Sequence, residues 1–275
     1  MTELEARVRD PKLTPFERLV MVMEVLRSPE GCNWDKKQTH ESLIPYLLEE
    51  AYEVVEVIES GEYTLLREEL GDVLTQVVFH AELARERGDF DIDDAVNDVV
   101  EKLIGRHPHV FGEKKDLNPQ QVRDQWEKIK TESGEKSSVL GGLPRIMPAL
   151  TMAFRTGEKA GGVGFDWKRA EDVLPKIDEE IAEIRAEMTG DTSSNREKIS
   201  DEIGDLLFAV SSLARKLEVD PEAALRKALL KFRSRFGRLE KAVRQGGKSF
   251  DDFTLDELEA IWQENKKKER DARGD

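Results

Sequence analysis

Carboxylates crowd two stretches of this chain. The first runs Glu49-Glu50-Ala51-Tyr52-Glu53 and returns as Glu69-Leu70-Gly71-Asp72; the second runs Glu179-Glu180-Ile181-Ala182-Glu183 and returns as Glu202-Ile203-Gly204-Asp205. Residues three or four apart share a helix face. Each stretch therefore offers two carboxylate pairs, Glu50/Glu53 with Glu69/Asp72 and Glu180/Glu183 with Glu202/Asp205, on helices that can point all four at one spot. Like charges so placed repel unless a cation lies among them, and hard oxygen ligands suit Mg2+, with Mn2+ as substitute, rather than Zn2+. A lone Glu-x-x-Glu in a chain with 37% charged residues is ordinarily a solvated face. EExxE followed by ExGD, found twice with 15 residues between its parts in one copy (54–68) and 18 in the other (184–201), is a different matter. Gly71 and Gly204 sharpen it, since glycine inside a helix costs about 1 kcal/mol relative to alanine. At matched positions it implies close backbone approach.

Other residues keep the same step. Pro45 lies four before Glu49 and Pro175 four before Glu179; Asp91 is followed by Lys102 and Arg106 at the offsets at which Asp220 is followed by Lys231 and Arg235. Asn118 precedes Trp126 and Lys130 as Thr254 precedes Trp262 and Lys266. These agreements are an internal duplication. They predict an N-terminal domain over 1–132, a linker over 133–142 within a stretch rich in Ser, Gly, Glu and Lys, and a C-terminal domain over 143–275.

Helical signals position these residues. Thr14-Pro15-Phe16-Glu17 reads as a capped start, and a helix over about 41–59 bears the first acidic triplet. After a cap at Thr64 a long helix runs to Arg87, with Leu70, Val73, Leu74, Val77, Val78 and Ala81 inward and Gly88 as its stop. Asp91 opens the next helix, ending near Arg106 before His107-Pro108, whose histidines read as helix-end packing. Residues 143–159 are expected to lead into the second copy. Gly161-Gly162-Val163-Gly164 lacks the strand before it and the Lys-Ser/Thr ending of a phosphate loop and reads as a plain turn. Residues 265–275 read as a frayed, solvated terminus. No segment alternates with period two, so the fold class is all-α, two tandem four-helix-type domains.

Composition narrows the function. With 38% apolar residues and 19 Gly the chain can bury packed cores. No apolar run approaches a membrane span and the N-terminus is charged, which predicts a cytoplasmic protein. Cys32 alone excludes an internal disulfide framework. A net charge of −15 argues against nucleic-acid or membrane partners, so a polyanionic ligand must be held through metal and local cations. Di-iron chemistry uses Glu-x-x-His pairs, and neither acidic motif contains His. Phosphoryl chemistry fits better: a divalent cation bridges phosphate oxygens while Lys and Arg spread the remaining charge.

Gly31-Cys32-Asn33-Trp34-Asp35-Lys36, Gln38-Thr39-His40-Glu41-Ser42-Leu43, Tyr46 to Glu53, Arg106-His107-Pro108-His109-Val110-Phe111 and Val163-Gly164-Phe165-Asp166-Trp167 resemble the MazG family of tandem-domain nucleoside triphosphate pyrophosphohydrolases, within the all-α NTP pyrophosphatase group. The resemblance covers nearly the whole chain. It implies Mg2+-dependent hydrolysis of (deoxy)nucleoside triphosphates to monophosphate and pyrophosphate, a house-cleaning of nucleotide pools. It further implies that Glu180, Glu183, Glu202 and Asp205 hold Mg2+, with Glu179 in the same signature, that Lys231 and Arg235 contact phosphates, that Trp262 and Lys266 border the nucleotide, and that the units pair as a homodimer. The first copy keeps Glu49, Glu50, Glu53, Glu69 and Asp72, but Arg106 is followed by His107-Pro108-His109 where Arg235 is followed by Phe236-Gly237-Arg238. Many relatives carry Pro where Asn33 stands. A helical regulator without enzymatic activity, using its acids only for solubility, is the competing expectation.

Overall fold

The computed structural model describes residues 3–119, 121–122, 125–126, 129, 138–189, 194–245 and 249–273, and among these no residue is in a strand. Contacts divide the chain into Met1–Asp116 and Leu117–Asp275. The division falls ahead of the segment expected as linker, of which 133–137 lie outside the described residues.

In the first unit, α1 (Glu3–Val8) is followed by α2 (Pro15–Arg27), α3 (His40–Ser60), α4 (Leu66–Arg87), α5 (Ile92–Arg106) and the single turn α6 (Pro108–Phe111). Thr14 and Glu17 close a reciprocal capping box at α2: the Glu17 N–H donates to Thr14 Oγ1 at 3.2 Å and the Thr14 N–H donates to Glu17 Oε2 at 2.7 Å. Thr39 with Ser42 and Asp91 with Asp94 do the same for α3 and α5. Gly61 and Gly88 end α3 and α4 in the left-handed conformation that glycine adopts without strain. Thr64 does not cap α4. That helix begins after Leu65 without a side-chain cap.

α4 packs against both α2 and α3. Its inner face supplies Val78, Phe79 and Leu83 to a core with Met23 of α2 and Leu43 of α3. Ala81 is buried as expected, whereas Leu70, Leu74 and Val77 remain 52%, 39% and 44% exposed. The apolar stripe of α4 is wider than the face that α2 and α3 cover.

In the second unit, α7 (Ala149–Gly162), α8 (Leu174–Glu187), α9 (Arg196–Lys216), α10 (Pro221–Gln245) and α11 (Leu255–Arg273) repeat the plan. α7 starts at Ala149 and not at 143, because Pro144 and Pro148 hold the preceding backbone out of helical geometry. Gly161 and Gly162 lie at its end and Gly164 turns the chain at φ 86°, the plain turn expected. Asp166, just beyond, accepts hydrogen bonds from Arg215 and ion-pairs with Lys216, both on α9. Arg215 approaches α7 so closely at Gly157 that a Cβ there would overlap its guanidinium. α9 also packs along α8, and α10 lies against α11. The end of α11 is not frayed as expected among the described residues: the helix reaches Arg273, and buried Glu269 accepts from Arg235 at 2.8 Å.

Candidate metal centre

α8 and α9 bring the second acidic set together because both carboxylate pairs lie on the faces these helices turn toward each other. One carboxylate oxygen each of Glu180, Glu202 and Asp205 lies within 4.8 Å of the others. In the first unit α3 and α4 do the same for Glu50, Glu69 and Asp72. The four-acid sets expected from spacing thus close as threes, and the close backbone approach expected at Gly71 and Gly204 is not found, since among the described residues a Cβ at either would meet open space. Glu53 joins the first by hydrogen bonds shared with Glu50 and Glu69, and Glu183 joins the second through Glu202. Glu49 and Glu179 are exposed and stand outside.

The electrostatics are those of groups held too close. Partial burial, followed by the hydrogen bond with Glu53 and the charges of Asp72, Glu53 and Glu49, raises the Glu50 carboxyl above its ordinary range. Glu69 is raised by burial and by Glu53, Glu68 and Asp72, and Glu202 by burial and by Glu183, Glu180 and Asp205. Glu180 is the most enclosed of these acids. It is 1% exposed; its Oε1 accepts from Lys176 Nζ at 2.7 Å, while its Oε2 is buried without a hydrogen-bond partner. A buried carboxylate oxygen lacking a donor costs free energy that a cation removes. Together with two neighbouring acids, this orphaned atom fits a hard divalent cation.

Lys176 was not singled out by sequence, although the signal was there: a lysine stands four residues before Glu180, where the first copy has Tyr46 before Glu50. It also pairs with Glu179 at 3.0 Å. Lys198, four before Glu202, pairs with Glu187 at 3.7 Å.

The expected phosphate and nucleoside residues lie on α10 and α11. Lys231 is exposed, and Arg235 is engaged by Glu269, with Arg238 at 3.8 Å from the same carboxylate. Trp262 packs on Phe232 with ring centroids 5.2 Å apart, Phe232 stacks on Phe236, and Phe236 on Phe250. Lys266 is half-buried. Of the residues expected in the first copy, Lys102 is exposed and Arg106 half-buried on α5, Trp126 is half-buried in a helical stretch that contacts assign to the second unit, and Lys130 lies outside the described residues. His107 Nδ1–H donates to the Leu103 carbonyl, 2.6 Å away, in keeping with helix-end packing. A hollow of about 440 Å³, lined by Glu5, Arg9, Arg18 and Leu19 among others, lies at α1 and α2 and touches none of the acids.

The sequence profile of the MazG nucleotide pyrophosphohydrolase domain matches this chain twice, over residues 38–111 and 168–238. The chain is 49% identical over 253 residues to the nucleoside triphosphate pyrophosphohydrolase/pyrophosphatase MazG of Thermotoga maritima, covering 91% of this chain and 95% of that one. It is 41% identical over 263 residues to the nucleoside triphosphate pyrophosphohydrolase of Escherichia coli K12, covering 94% and 100%. A third relative, the nucleoside triphosphate pyrophosphohydrolase of Mycobacterium tuberculosis, is 34% identical over 215 residues, 74% of this chain and 65% of that protein. Two profile matches, each enclosing one pair of acid-bearing helices, and full-length relatives at these identities place the chain in the MazG family.

Proposed function

We propose that this chain hydrolyses nucleoside triphosphates to nucleoside monophosphate and pyrophosphate, and that the second half carries most of the turnover. The orphaned Oε2 of Glu180 beside Glu202 and Asp205 is the observation that carries the reading. Glu180, Glu183, Glu202 and Asp205 would hold Mg2+, or Mn2+ in its place, and Glu50, Glu53, Glu69 and Asp72 the same ion in the first half. When bound, such an ion neutralises phosphate oxygens and makes a water more acidic. Glu179 stands beside Glu180, open to solvent, with Lys176 on its carboxylate. Lys231 and Arg235 would meet phosphate oxygens, with Arg235 keeping its Nε on Glu269 and offering its remaining N–H groups. Trp262 and Lys266 would border the nucleoside, and Lys102, Arg106, Trp126 and Lys130 have the matching roles in the first half.

A homodimer is supported by apolar residues at matched positions: Val96, Val100 and Leu103 on α5, and Leu225, Leu229 and Phe232 on α10, are each more than 40% exposed. No helix among the described residues is long and apolar enough to cross a membrane, and a nucleotide substrate suits a cytoplasmic site of action.

The test incubates the protein with each nucleoside triphosphate and MgCl2 and identifies the nucleoside product. Monophosphate is diagnostic, since a relative whose name includes pyrophosphatase makes free pyrophosphate an unsafe marker. Diphosphate as the product would move the attack to the γ-phosphorus and overturn the proposal.

A further inference from the structure

The two cages share their acids and differ one helical turn away. On α8 and α9 the positions four residues before Glu180 and Glu202 are Lys176 and Lys198; on α3 and α4 the positions four before Glu50 and Glu69 are Tyr46 and Leu65. Residues four apart share a face; Lys176 sits on Glu180 of the second cage and Lys198, one turn before Glu202, reaches Glu187, where the first half has an aromatic ring and an aliphatic chain. Four residues past Asp72 is Gln76, and four past Asp205 is Ala209; both are buried. The Gln76 Oε1 is buried and has no hydrogen-bond partner. Lys102 and Arg106 match Lys231 and Arg235, so besides the residues that follow Arg106 and Arg235 the halves part at these three face positions.

An aromatic platform completes the difference. Trp34 and Tyr46 meet edge to face with centroids 5.7 Å apart, and they are 50% and 38% exposed, which leaves ring surface open. The turn that carries Trp34 is held firmly. Its carbonyl accepts from the Lys37 N–H at 3.1 Å and from Gln38 Nε2 at 3.0 Å. The Arg27 guanidinium donates to the Asp35 and Gln38 carbonyl oxygens while gripping both oxygens of Glu86 at 2.7 Å. At Gly31 a Cβ would overlap the Val25 and Leu26 carbonyl oxygens, so only glycine admits this path. Exposed aromatic faces hold nucleobases by stacking, and the unpaired Gln76 amide oxygen, one turn past Asp72, suits a base amino or ring N–H.

We propose that the first half is a second nucleotide site of a different class, taking a nucleoside monophosphate with its base against Trp34 and Tyr46, read by Gln76. This rests on the reading of each acid set as a divalent-cation site. A phosphate monoester carries about −2 at neutral pH, less than a triphosphate carries, and so calls for fewer side-chain cations beside the ion that the acids hold. The surplus charge of a triphosphate calls for cations beyond the pair that both halves share, and Lys176 of the second half has Tyr46 as its counterpart in the first. The ligand so selected is the class of product the second half releases.

The experiment uses the full chain carrying Glu180→Gln and Glu183→Gln, so that only the first cage is intact. Isothermal titration is run with Mg2+ alone, then in Mg2+ with AMP, GMP, CMP and UMP and with the α,β-imido triphosphate of each base, which is not cleaved. At least one monophosphate is expected to bind tenfold or more tighter than its triphosphate. Trp34→Leu, or Tyr46→Leu should that variant not fold, is expected to weaken it about tenfold with Mg2+ affinity unchanged. Triphosphate binding as tightly, an unaltered affinity in those variants, or Mg2+ uptake with no nucleotide bound would each overturn the inference while leaving the cation site standing. An absence of Mg2+ uptake would overturn both.

Discussion

Replacing Asp166 by asparagine tests how the second cage is kept in place, because Asp166 ties the turn after α7 to the helix that carries Glu202 and Asp205. Its Oδ2 and Oδ1 accept from Arg215 at 2.9 and 2.6 Å, and Lys216 Nζ lies 2.5 Å from Oδ2. The three side chains are only 17%, 12% and 17% exposed. Removing one partner of a buried ion pair costs about 3–5 kcal/mol, and the residual exposure brings this to roughly 2–4 kcal/mol. At about 2–4 °C per kcal/mol for a unit of this size, the melting temperature should fall by roughly 4–16 °C. Burial alone would raise the Asp166 carboxyl, but the hydrogen bonds and charges of Arg215 and Lys216 outweigh it and hold it below its ordinary value. A carboxyl whose folded value is lowered stabilises above the unfolded value, about 3.9, and loses that contribution as pH falls through the folded one. The gap between wild type and Asp166→Asn in scanning calorimetry should therefore be full at pH 7 and close below about pH 4. A shift under about 1 °C at pH 7, or an undiminished gap at pH 3, would refute the account. Asp166→Leu combined with Arg215→Met and Lys216→Met should recover part of the loss, since an apolar cluster leaves no buried charge unpaired.

The acids yield three further outcomes. Glu180→Ala/Glu183→Ala should lower monophosphate production from a triphosphate by about a hundredfold or more, whereas Glu50→Ala/Glu53→Ala should retain most turnover; chromatography of the nucleotides reads both. Mg2+ at a hundredfold excess over its dissociation constant should stabilise the second half by about 2.7 kcal/mol, seen as a thermal shift that Glu202→Gln abolishes. Without metal the sign reverses. The Glu202 carboxyl is raised, so its contribution to stability is present at low pH and lost as pH rises through that raised value. Metal-free Glu202→Gln should then withstand more urea than wild type at pH 8 and no more at about pH 4; a lower midpoint at pH 8 would show that the acids do not strain the fold.

The helices and both acid sets were legible because they rest on local rules. Thr14 with Glu17, Asp91 and Gly88 mark ends through hydrogen bonds spanning three or four residues, and a carboxylate pair on one face is written in its spacing. What depends on distant partners was not. Leu70, Leu74 and Val77 share the apolar period of α4, but only packing decides which of them α2 and α3 cover. Glu269 lies in a lysine-rich end that reads as solvated until Arg235, thirty-four residues earlier, is seen to hold it. Lys176 was readable by comparing the halves at one register, yet its role emerges only once Glu180 is found buried beneath it.

The same comparison bears on why the first half retains its acids. Glu50 and Glu69 are pushed above their ordinary range by burial and by each other's neighbours, which is unfavourable wherever they are ionised and no cation is present. A helix pair that served only as scaffold would be more stable with Gln or Leu at those positions. Solubility does not explain them either, since the many exposed acids elsewhere on the surface supply charge without being forced together. An arrangement that destabilises the empty fold at neutral pH, repeated on both helix pairs, is accounted for when each half binds a cation, and the side chains one turn away then determine which nucleotide that cation helps to hold.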